Sequence, residues 1–313
     1  MTLPIKYIAV DWGSSSFRAY LVDEDRQIIQ QVENDRGVLC HKQEEFTDTL
    51  ASACSDWLDN DPNLPIVMAG MIGSRNGWQE TDYVSCPADA SAIASHIARL
   101  ESELATDILL VPGVCGKSPN GLADVMRGEE VQILGALEQY QSSDALICLP
   151  GTHSKWAQVH DSNIKHFSTF FTGEMFALLN HHSSIGSILE NKEYSEDDFF
   201  RGLQCSRKDG GLLQHVFSTR ASLLSSQWDG ESLHSYLSGI VIGNEFKGAC
   251  ELYGQPDSSN LLLVGNSQLQ KLYRQAADFY GFSSFSIAAE SAFISGLDQV
   301  TQAYYSSTTE ALC

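Results

Sequence analysis

The sequence predicts an α/β protein built from a duplicated unit that faces itself across a cleft. Its 313 residues suit two compact domains or one large barrel-type domain. Hydrophobic residues make up 43% of the chain, enough to bury a sizeable core. A strand, a turn rich in glycine, serine or threonine, and a second strand occur near residue 10 and again near residue 150, which indicates the duplication.

The first copy of this pattern opens the chain. Strands are predicted at 6–10 and at Phe17–Val22, where apolar residues alternate, with the polar segment DWGSSS between them. A third strand is predicted at 27–32. A helix is predicted over 44–59, because apolar or small residues recur there with a period of 3.6.

The strand Ile66–Ala69 leads into the segment 70–78, GMIGSRNGW, which is too rich in glycine for the interior of a strand or helix. We therefore expect a functional loop there. A helix at 88–104, a strand at 108–111 and a helix at Glu129–Tyr140 follow by their hydrophobic patterns.

The second copy begins with the strand Ala145–Leu149, which enters PGTHSK and continues into a strand at 156–159. A helix is predicted around 174–180, followed by further helical segments up to about residue 230. Another helix is predicted at 236–252, where three glycines permit close packing of neighbouring elements.

The last part of the chain reads as a strand at 261–264, a Gly-Asn turn and a helix at about 268–280. This order is compatible with a nucleotide pocket, because a helix N-terminus after a tight turn favours phosphate. A final helix is predicted at 289–305.

The charge of the chain excludes some partners. Forty acidic and nineteen basic side chains leave a formal charge of −21 and a pI near 4.6, which disfavours nucleic acid and anionic membrane surfaces. Apolar runs fall far short of the ~20 residues that span a bilayer. The first residues, MTLPIKYIAVDWG, lack the pattern of a secretory signal, so we expect a cytoplasmic protein.

The cysteines form no CxxC pair, which favours reduced thiols over disulfides or a zinc site. The eight are Cys40, Cys54, Cys86, Cys115, Cys148, Cys205, Cys250 and Cys313.

Three segments carry groups suited to phosphate chemistry. Asp11 follows a strand and precedes Gly13 and three serines, where a carboxylate can hold Mg²⁺ and the loop N–H groups and hydroxyls can bind phosphate oxygens. An ordinary hairpin turn is the equal alternative. The second loop, 151–155, offers similar donors and one ammonium group, although His153 could be a capping or packing residue. The Walker, GxGxxG and GxSxG motifs do not occur in the sequence.

The third segment, DVMRGEE at 124–130, places three carboxylates and a guanidinium at the start of a predicted helix. One interpretation is a general base for a sugar hydroxyl, with Arg127 binding an anionic group. The other is helix capping, which favours acids at the same positions. Phosphoryl transfer needs little more than one carboxylate, a metal and donor loops.

Six segments in order, AVDWGSSSFRAYLVD, AGMIGSRNGW, DVMRGEEVQILGAL, LPGTHSKW, FFTGEMFALL and LLLVGN, resemble the 2-dehydro-3-deoxygalactonokinase family of the actin-like superfamily. The similarity runs from about residue 7 to about residue 297. It implies two ribonuclease H-like domains, an actin/hexokinase-like duplicate, around a central cleft. The domains would span 1–143 and 144–289, with a C-terminal helix at about 290–313 free to pack back on the first.

The resemblance also implies an activity. Members of the family use ATP and Mg²⁺ to phosphorylate the C6 hydroxyl of 2-dehydro-3-deoxy-D-galactonate, a step in galactonate breakdown. The partners would be this small sugar acid and ATP. The oligomeric state stays open, with a homo-oligomer among the alternatives.

The same resemblance implies roles for individual residues. The first phosphate loop comprises Asp11, which is also the metal ligand, Gly13, Ser14 and Ser15. The second comprises Gly151, Thr152, His153 and Ser154, and the adenosine turn comprises Gly265 and Asn266. The sugar-acid elements are Arg18, Gly70, Met71, Ile72, Gly73, Ser74, Arg75 and Trp78. The catalytic group comprises Glu129 as the first choice of base, Asp124 as the second, and Arg127.

Two rival functions remain. One is a phosphohydrolase of the exopolyphosphatase type, in which Glu129 would activate water. The other is a nucleotide-gated, actin-like binding module. Arg18, Arg75 and Arg127 lie in or beside the candidate loops, which favours an anionic sugar, although each could instead form an ordinary ion pair.

Overall fold

The framework of the protein is a pair of β-sheets with the same strand order. The computed structural model describes residues 6–104, 106–189, 193–226, 228–254 and 261–310. The first sheet has the order β3-β2-β1-β4-β7-β6. Its strands are β1 (Tyr7–Trp12), β2 (Phe17–Val22), β3 (Ile28–Asn34), β4 (Ile66–Ala69), β6 (Ala98–Leu100) and β7 (Ile108–Leu110).

The second sheet repeats the first five positions in the order β12-β11-β10-β13-β14. Its strands are β10 (Ala145–Leu149), β11 (Ser154–His160), β12 (Asn163–Phe170), β13 (Leu261–Gly265) and β14 (Ser284–Ala288). In each sheet the first three strands along the chain are antiparallel, and the next two in the sheet run parallel to the first. This repetition confirms the predicted duplicate of two ribonuclease H-like units.

A small third sheet joins β5 (Val84–Ser85), β8 (Val114–Lys117) and β9 (Ala123–Met126), and it contacts β12 of the second sheet. The helices are α1 (Phe46–Ala53), α2 (Ser55–Asn60), α3 (Ala90–Ala94), α4 (Glu129–Tyr140), α5 (Thr172–His182), α6 (Glu196–Ser206), α7 (Gly211–Leu224), α8 (Leu233–Tyr253), α9 (Ser267–Tyr280) and α10 (Ala289–Glu310). Short 3₁₀ turns occur at Val38–Cys40, Gln43–Glu45, Met71–Gly73 and Gly186–Ile188.

Helices α4 and α10 share one buried core with both large sheets. They approach closely because glycines lie at their contact. A Cβ on Gly135 would lie 1.9 Å from the carbonyl oxygen of Ala292, and a Cβ on Gly296 would lie 1.8 Å from that of Val131. This packing fixes the axis of α4 and therefore the position of its N-terminus.

The helix predicted at 88–104 is wrong. Helix α3 ends at Ala94, and Ala98–Leu100 forms the edge strand β6, antiparallel to β7. Side chains compete for the backbone at this end: Ser95 Oγ donates to the carbonyl oxygen of Ala92 at 2.8 Å, and His96 Nδ1 lies 3.0 Å from the same oxygen. The helix predicted at 44–59 is divided into α1 and α2 at Cys54.

The seven cysteines within the described residues are free thiols, as predicted, and Cys313 lies outside those residues. Among the described residues, no helix has the length and apolar character needed to cross a bilayer.

Candidate active site

The carboxyl ends of β1 and β4 meet at Asp11 and Gly70. The two strands are parallel neighbours, with Asp11 opposite Ala69. Gly70 has a φ of +100°, and a Cβ there would lie 2.8 Å from the carbonyl oxygen of Trp12 and 3.4 Å from Asp11 Oδ1. A side chain at position 70 would therefore be strained and would crowd the carboxylate of Asp11.

The N-terminus of α4 reaches the same point. Gly128 precedes the helix with a φ of +107°, and a Cβ on it would lie 3.2 Å from Gly70 Cα. The Glu129 carboxylate accepts the backbone N–H of Arg127 at 3.0 Å. Both oxygens of Glu130 accept the N–H of Gly128, at 2.8 and 2.9 Å. The turn thus places Glu129 near Asp11, whereas the side chain of Glu130 is buried against the N–H of Gly128.

Carboxylates dominate the electrostatics of this cluster, in which Glu130 is buried and Asp11 and Glu129 are half-buried. Burial raises the pKa of Asp11, whose side chain is 20% exposed; Arg18 at 3.4 Å opposes this rise and the charge of Glu129 adds to it. Burial, followed by the charge of Glu129, raises the pKa of Glu130 to about 8. Arg18 is shared with Glu33, which accepts its Nε at 2.8 Å. A divalent cation would relieve this repulsion, and carboxylate oxygens are suitable ligands for it.

The first loop has free hydrogen-bond donors. Its turn is closed by a bond from the N–H of Gly13 to the carbonyl oxygen of Ser16 at 2.9 Å. The carbonyl groups of Gly13 and Ser14 accept the backbone N–H groups of Val38 and Leu39, in the Val38–Cys40 turn. Within the described residues, the N–H groups and hydroxyls of Ser14 and Ser15 have no hydrogen-bond partner. They are available to an anion.

The second loop occupies the equivalent place after β10. Gly151 and Thr152 reach the surface there, and the carbonyl oxygen of Thr152 accepts the N–H of Glu174 at 3.0 Å. His153 Nε2 lies 2.6 Å from Glu174 Oε2, and its ring stacks on Phe171. His153 is thus anchored to the start of α5.

Ser154 differs from the rest of this predicted phosphate loop. It is the first residue of β11 rather than part of the turn, and it is fully buried. Its hydroxyl lies 3.2 Å from the hydroxyl of Tyr273, in the core. The side chain therefore faces away from the surface at which the other loop residues could meet phosphate.

Two contacts join strand β9, which carries Asp124 and Val125, to the strands that follow the second loop. Lys155, directly after the loop, is buried and donates to the carbonyl oxygen of Val125 at 2.9 Å and to Thr169 Oγ1 at 2.7 Å. The carboxylate of Asp124 accepts the N–H and the hydroxyl of Thr169, both at 2.6 Å. Strand β9, which leads to Glu129, is thus joined to β11 and β12. Asp124 is part of this junction and does not contact Asp11.

The loop at 70–78 contains a 3₁₀ turn that packs over Arg127. Arg127 is 8% exposed; its Nη2 donates to the carbonyl oxygen of Thr81 at 2.8 Å and its Nη1 bonds the Thr81 hydroxyl. The guanidinium lies 4.3 Å from the ring centre of Tyr83. A Cβ on Gly73 would lie 2.9 Å from Nη1. Arg127 therefore joins this loop to the turn at 128–130, which carries Glu129 and Glu130.

Two buried polar atoms near this contact lack partners among the described residues, the Nε of Arg127 and the hydroxyl of Ser74. Ile72 is buried and Met71 is half-buried in the core behind the loop, and Trp78 stacks on Phe46 at a centroid distance of 6.4 Å. Arg75 is exposed. The loop thus combines an apolar back with two buried polar atoms that lack a partner among the described residues.

The turn after β13 lies beside the second loop. A Cβ on Gly265 would lie 3.7 Å from Cδ of Pro150, and the side chain of Asn266 caps α9 by accepting the N–H of Leu269 at 2.9 Å. A cavity of about 390 Å³ opens nearby. Its walls, from α5, α8, α9 and the second loop, include Gly151, Thr172, Phe176, Val241, Leu269 and Tyr273.

Sequence reasoning did not identify this cavity, because its walls come from segments about a hundred residues apart. It included Glu130 and Lys155 in candidate segments without assigning either an individual role, and it did not include Thr81 or Tyr83. For Glu130 a signal existed in the RGEE segment, but spacing alone does not tell which of two adjacent glutamates is buried.

A family model described as 2-keto-3-deoxy-galactonokinase matches residues 11–300. A 2-dehydro-3-deoxygalactonokinase of Escherichia coli (strain K12) is 34% identical over 298 residues, which cover 95% of this chain and 98% of that protein. A protein of Rhizobium meliloti (strain 1021) assigned the same activity is 33% identical over 313 residues, which cover 97% and 99%.

Solved structures agree with these matches. The crystal structure of a protein from Sinorhizobium meliloti assigned as a 2-dehydro-3-deoxygalactonokinase has a TM-score of 0.86 and 31% identity, covering 96% of this chain and 99% of that one. The activator of 2-hydroxyisocaproyl-CoA dehydratase from Clostridium difficile, solved with ADPNP, has a TM-score of 0.51 and 10% identity, covering 97% and 98%. The second likeness is one of fold alone.

Proposed function

The chain belongs to the 2-keto-3-deoxy-galactonokinase family, and from this membership we propose that it transfers the γ-phosphoryl group of ATP to the C6 hydroxyl of 2-dehydro-3-deoxy-D-galactonate. The observation that carries the proposal is the meeting of Asp11, Gly70 and the Gly128–Glu129 turn at one point. A carboxylate, a loop of hydrogen-bond donors and a second acid occur there together, and these are the functional groups that phosphoryl transfer needs.

ATP would be held from both sides of the cleft. The N–H groups and hydroxyls of Ser14 and Ser15 would bind phosphate oxygens from the first sheet, and Gly151 and Thr152 would do so from the second. Gly265 would border the adenosine beside the 390 Å³ cavity. The Lys155 contact with Val125 supports this arrangement, because it joins strand β11, which follows the second loop, to strand β9, which leads to Glu129.

Asp11 would hold Mg²⁺, since it offers a hard oxygen ligand in a cluster with an excess of negative charge. When bound, the ion would supply positive charge that offsets the negative charge of the phosphates. Arg18 would keep the Asp11 carboxylate oriented through the 3.4 Å contact.

Glu129 is proposed as the general base. The backbone N–H of Arg127 donates to the Glu129 carboxylate and fixes its direction, and the charge of Glu129 raises the pKa of Asp11. In the reaction the C6 oxygen forms a bond to the γ-phosphorus, the bond from that phosphorus to the bridging oxygen of ADP breaks, and the hydroxyl proton passes to Glu129. Asp124 is less suited, because Thr169 occupies both of its oxygens.

The sugar acid would lie against the loop at 70–78. Its hydroxyls would bind the backbone of the Gly70–Gly73 turn, with Met71, Ile72 and Trp78 supporting the loop from behind. Its carboxylate needs a cation in a strongly acidic protein. Arg75 is exposed in the loop and would bind this carboxylate, whereas Arg127 is buried and would hold the loop in place.

A coupled assay of ADP release tests the function. We expect release with 2-dehydro-3-deoxy-D-galactonate, little with neutral hexoses, and almost none without an acceptor. Equal release with and without acceptor would indicate a phosphohydrolase instead. Nucleotide binding with no release under any condition would indicate a nucleotide-gated binding module.

A further inference from the structure

The second half of the molecule contains a buried carboxylate that the proposed reaction does not use. Glu245, in the middle of α8, is 3% exposed. Its Oε1 accepts the indole N–H of Trp156 at 2.8 Å, and its Oε2 accepts the hydroxyl of Tyr273 at 2.7 Å. Within the described residues it has no ion-pair partner. An acid buried among neutral donors is costly, which demands an explanation beyond packing.

The donors to Glu245 come from the elements that surround the second loop. Trp156 lies on β11, two residues after the loop ends, and Tyr273 lies on α9, which begins directly after Gly265 and Asn266. The hydroxyl of Thr172, the first residue of α5, is close enough to Glu245 to lower the pKa of its carboxyl. One carboxylate on α8 therefore joins β11, α5 and α9.

The same elements form the walls of the 390 Å³ cavity. Thr172 and Tyr273 line it directly, together with Gly151 of the second loop. The next residue of α5, Gly173, fits so closely that a Cβ there would lie 2.4 Å from the carbonyl oxygen of Gly151. A shift of α5 would thus be transmitted to the loop without an intervening space.

Burial raises the pKa of Glu245, while hydrogen bonds from Thr172, Tyr273, Trp156 and Ser154 lower it. The carboxylate accepts a donor on each oxygen, whereas an amide would have to reverse the bond to Tyr273, whose hydroxyl would accept from the NH₂ group and turn its own proton toward Ser154, and both bonds would lose the contribution of the negative charge. Replacing Glu245 by glutamine should therefore loosen one wall with almost no change of volume.

We propose that Glu245 is a positioning residue that fixes the second phosphate loop and the adjoining nucleotide cavity by holding Trp156, Tyr273 and Thr172. This inference rests on the proposed use of ATP. Glu245 acts through these residues and does not contact the nucleotide.

The test compares Glu245→Gln with Glu251→Gln, the same change at an exposed position of the same helix. Binding of a non-hydrolysable ATP analogue with Mg²⁺ is measured by calorimetry, and KM for the sugar acid by the ADP assay. We expect Glu245→Gln to weaken analogue binding about tenfold, by the loss of a hydrogen bond to a charged group, and to leave KM for the sugar acid within twofold. Glu251→Gln should match the wild type in both.

The inference would be overturned if folded Glu245→Gln bound the analogue as tightly as Glu251→Gln does. It would also be overturned if the dissociation constant of the analogue and KM for the sugar acid rose by the same factor. If thermal unfolding shows that Glu245→Gln does not fold, Tyr273→Phe decides: binding at least threefold weaker supports the inference and unchanged binding overturns it. The binding measurement needs no turnover. A wild type that binds the analogue but does not phosphorylate the sugar acid would therefore refute only the proposed substrate.

Discussion

Replacing Glu130 by glutamine should make the stability of the protein less dependent on pH. Glu130 is buried at the start of α4, and both of its oxygens accept the N–H of Gly128. Burial and the neighbouring charge of Glu129 raise its pKa from 4.5 to about 8. Glutamine has the same shape and can keep one bond to Gly128, but it carries no titratable proton.

The magnitude follows from proton linkage. Above pH 4.5 the unfolded chain releases the proton that folded Glu130 retains, so rising pH favours unfolding until the folded carboxyl also ionises near pH 8. For these two pKa values, the free energy of unfolding falls by about 2.5 kcal/mol between pH 5.5 and pH 7.5. Glu130→Gln lacks this contribution, so its stability relative to the wild type should rise by about that amount across the same interval.

Urea unfolding followed by tryptophan fluorescence, repeated across the interval, measures this difference. Glu251→Gln, at an exposed position, is the control and should follow the wild type. If Glu130→Gln and the wild type lose stability in parallel as pH rises, Glu130 does not retain a proton in the folded protein and the reasoning is refuted.

Three further substitutions test the site. Asp11→Asn should lower kcat about 10³-fold, because the charge that holds the metal is lost, and a kcat within tenfold of the wild type at saturating Mg²⁺ would contradict its role. Glu129→Gln should lower kcat by about 10²- to 10⁴-fold with analogue binding unchanged; equal turnover would dismiss it as the base. Gly128→Ala should cost about 1 to 2 kcal/mol more unfolding free energy than Gly121→Ala, because both glycines have positive φ but only Gly128 would meet Gly70; equal costs in urea unfolding would show that this contact is unimportant.

The duplication and the first loop could be predicted because their signals are local. Alternating apolar residues identify β1 and β2, and the glycine and serine residues between them mark the turn. The strand extends two residues further than predicted, to Trp12, which places Asp11 inside the sheet and opposite Ala69. Strands β12 and β14 were not predicted, because polar residues interrupt the apolar residues in both segments, NIKHFSTF and SFSIA.

The site could be predicted as a set of segments but not as an arrangement. A sequence shows that Arg127 precedes an acidic pair, but not that Thr81 and Tyr83 surround it. Likewise Ser154 lies in a segment with the composition of a phosphate loop, but it is the first residue of β11, and its hydroxyl lies in the core. These features depend on long-range packing, which single-sequence periodicity does not contain.

A crystal structure with a non-hydrolysable ATP analogue, Mg²⁺ and the sugar acid tests most directly whether one nucleotide is gripped by both halves of the molecule. The account predicts phosphate oxygens within hydrogen-bonding distance of the backbone at Ser14 or Ser15 and also at Gly151 or Thr152, with the metal next to Asp11. A triphosphate bound by one loop alone in the presence of the sugar acid, with the other loop open to solvent, would contradict it.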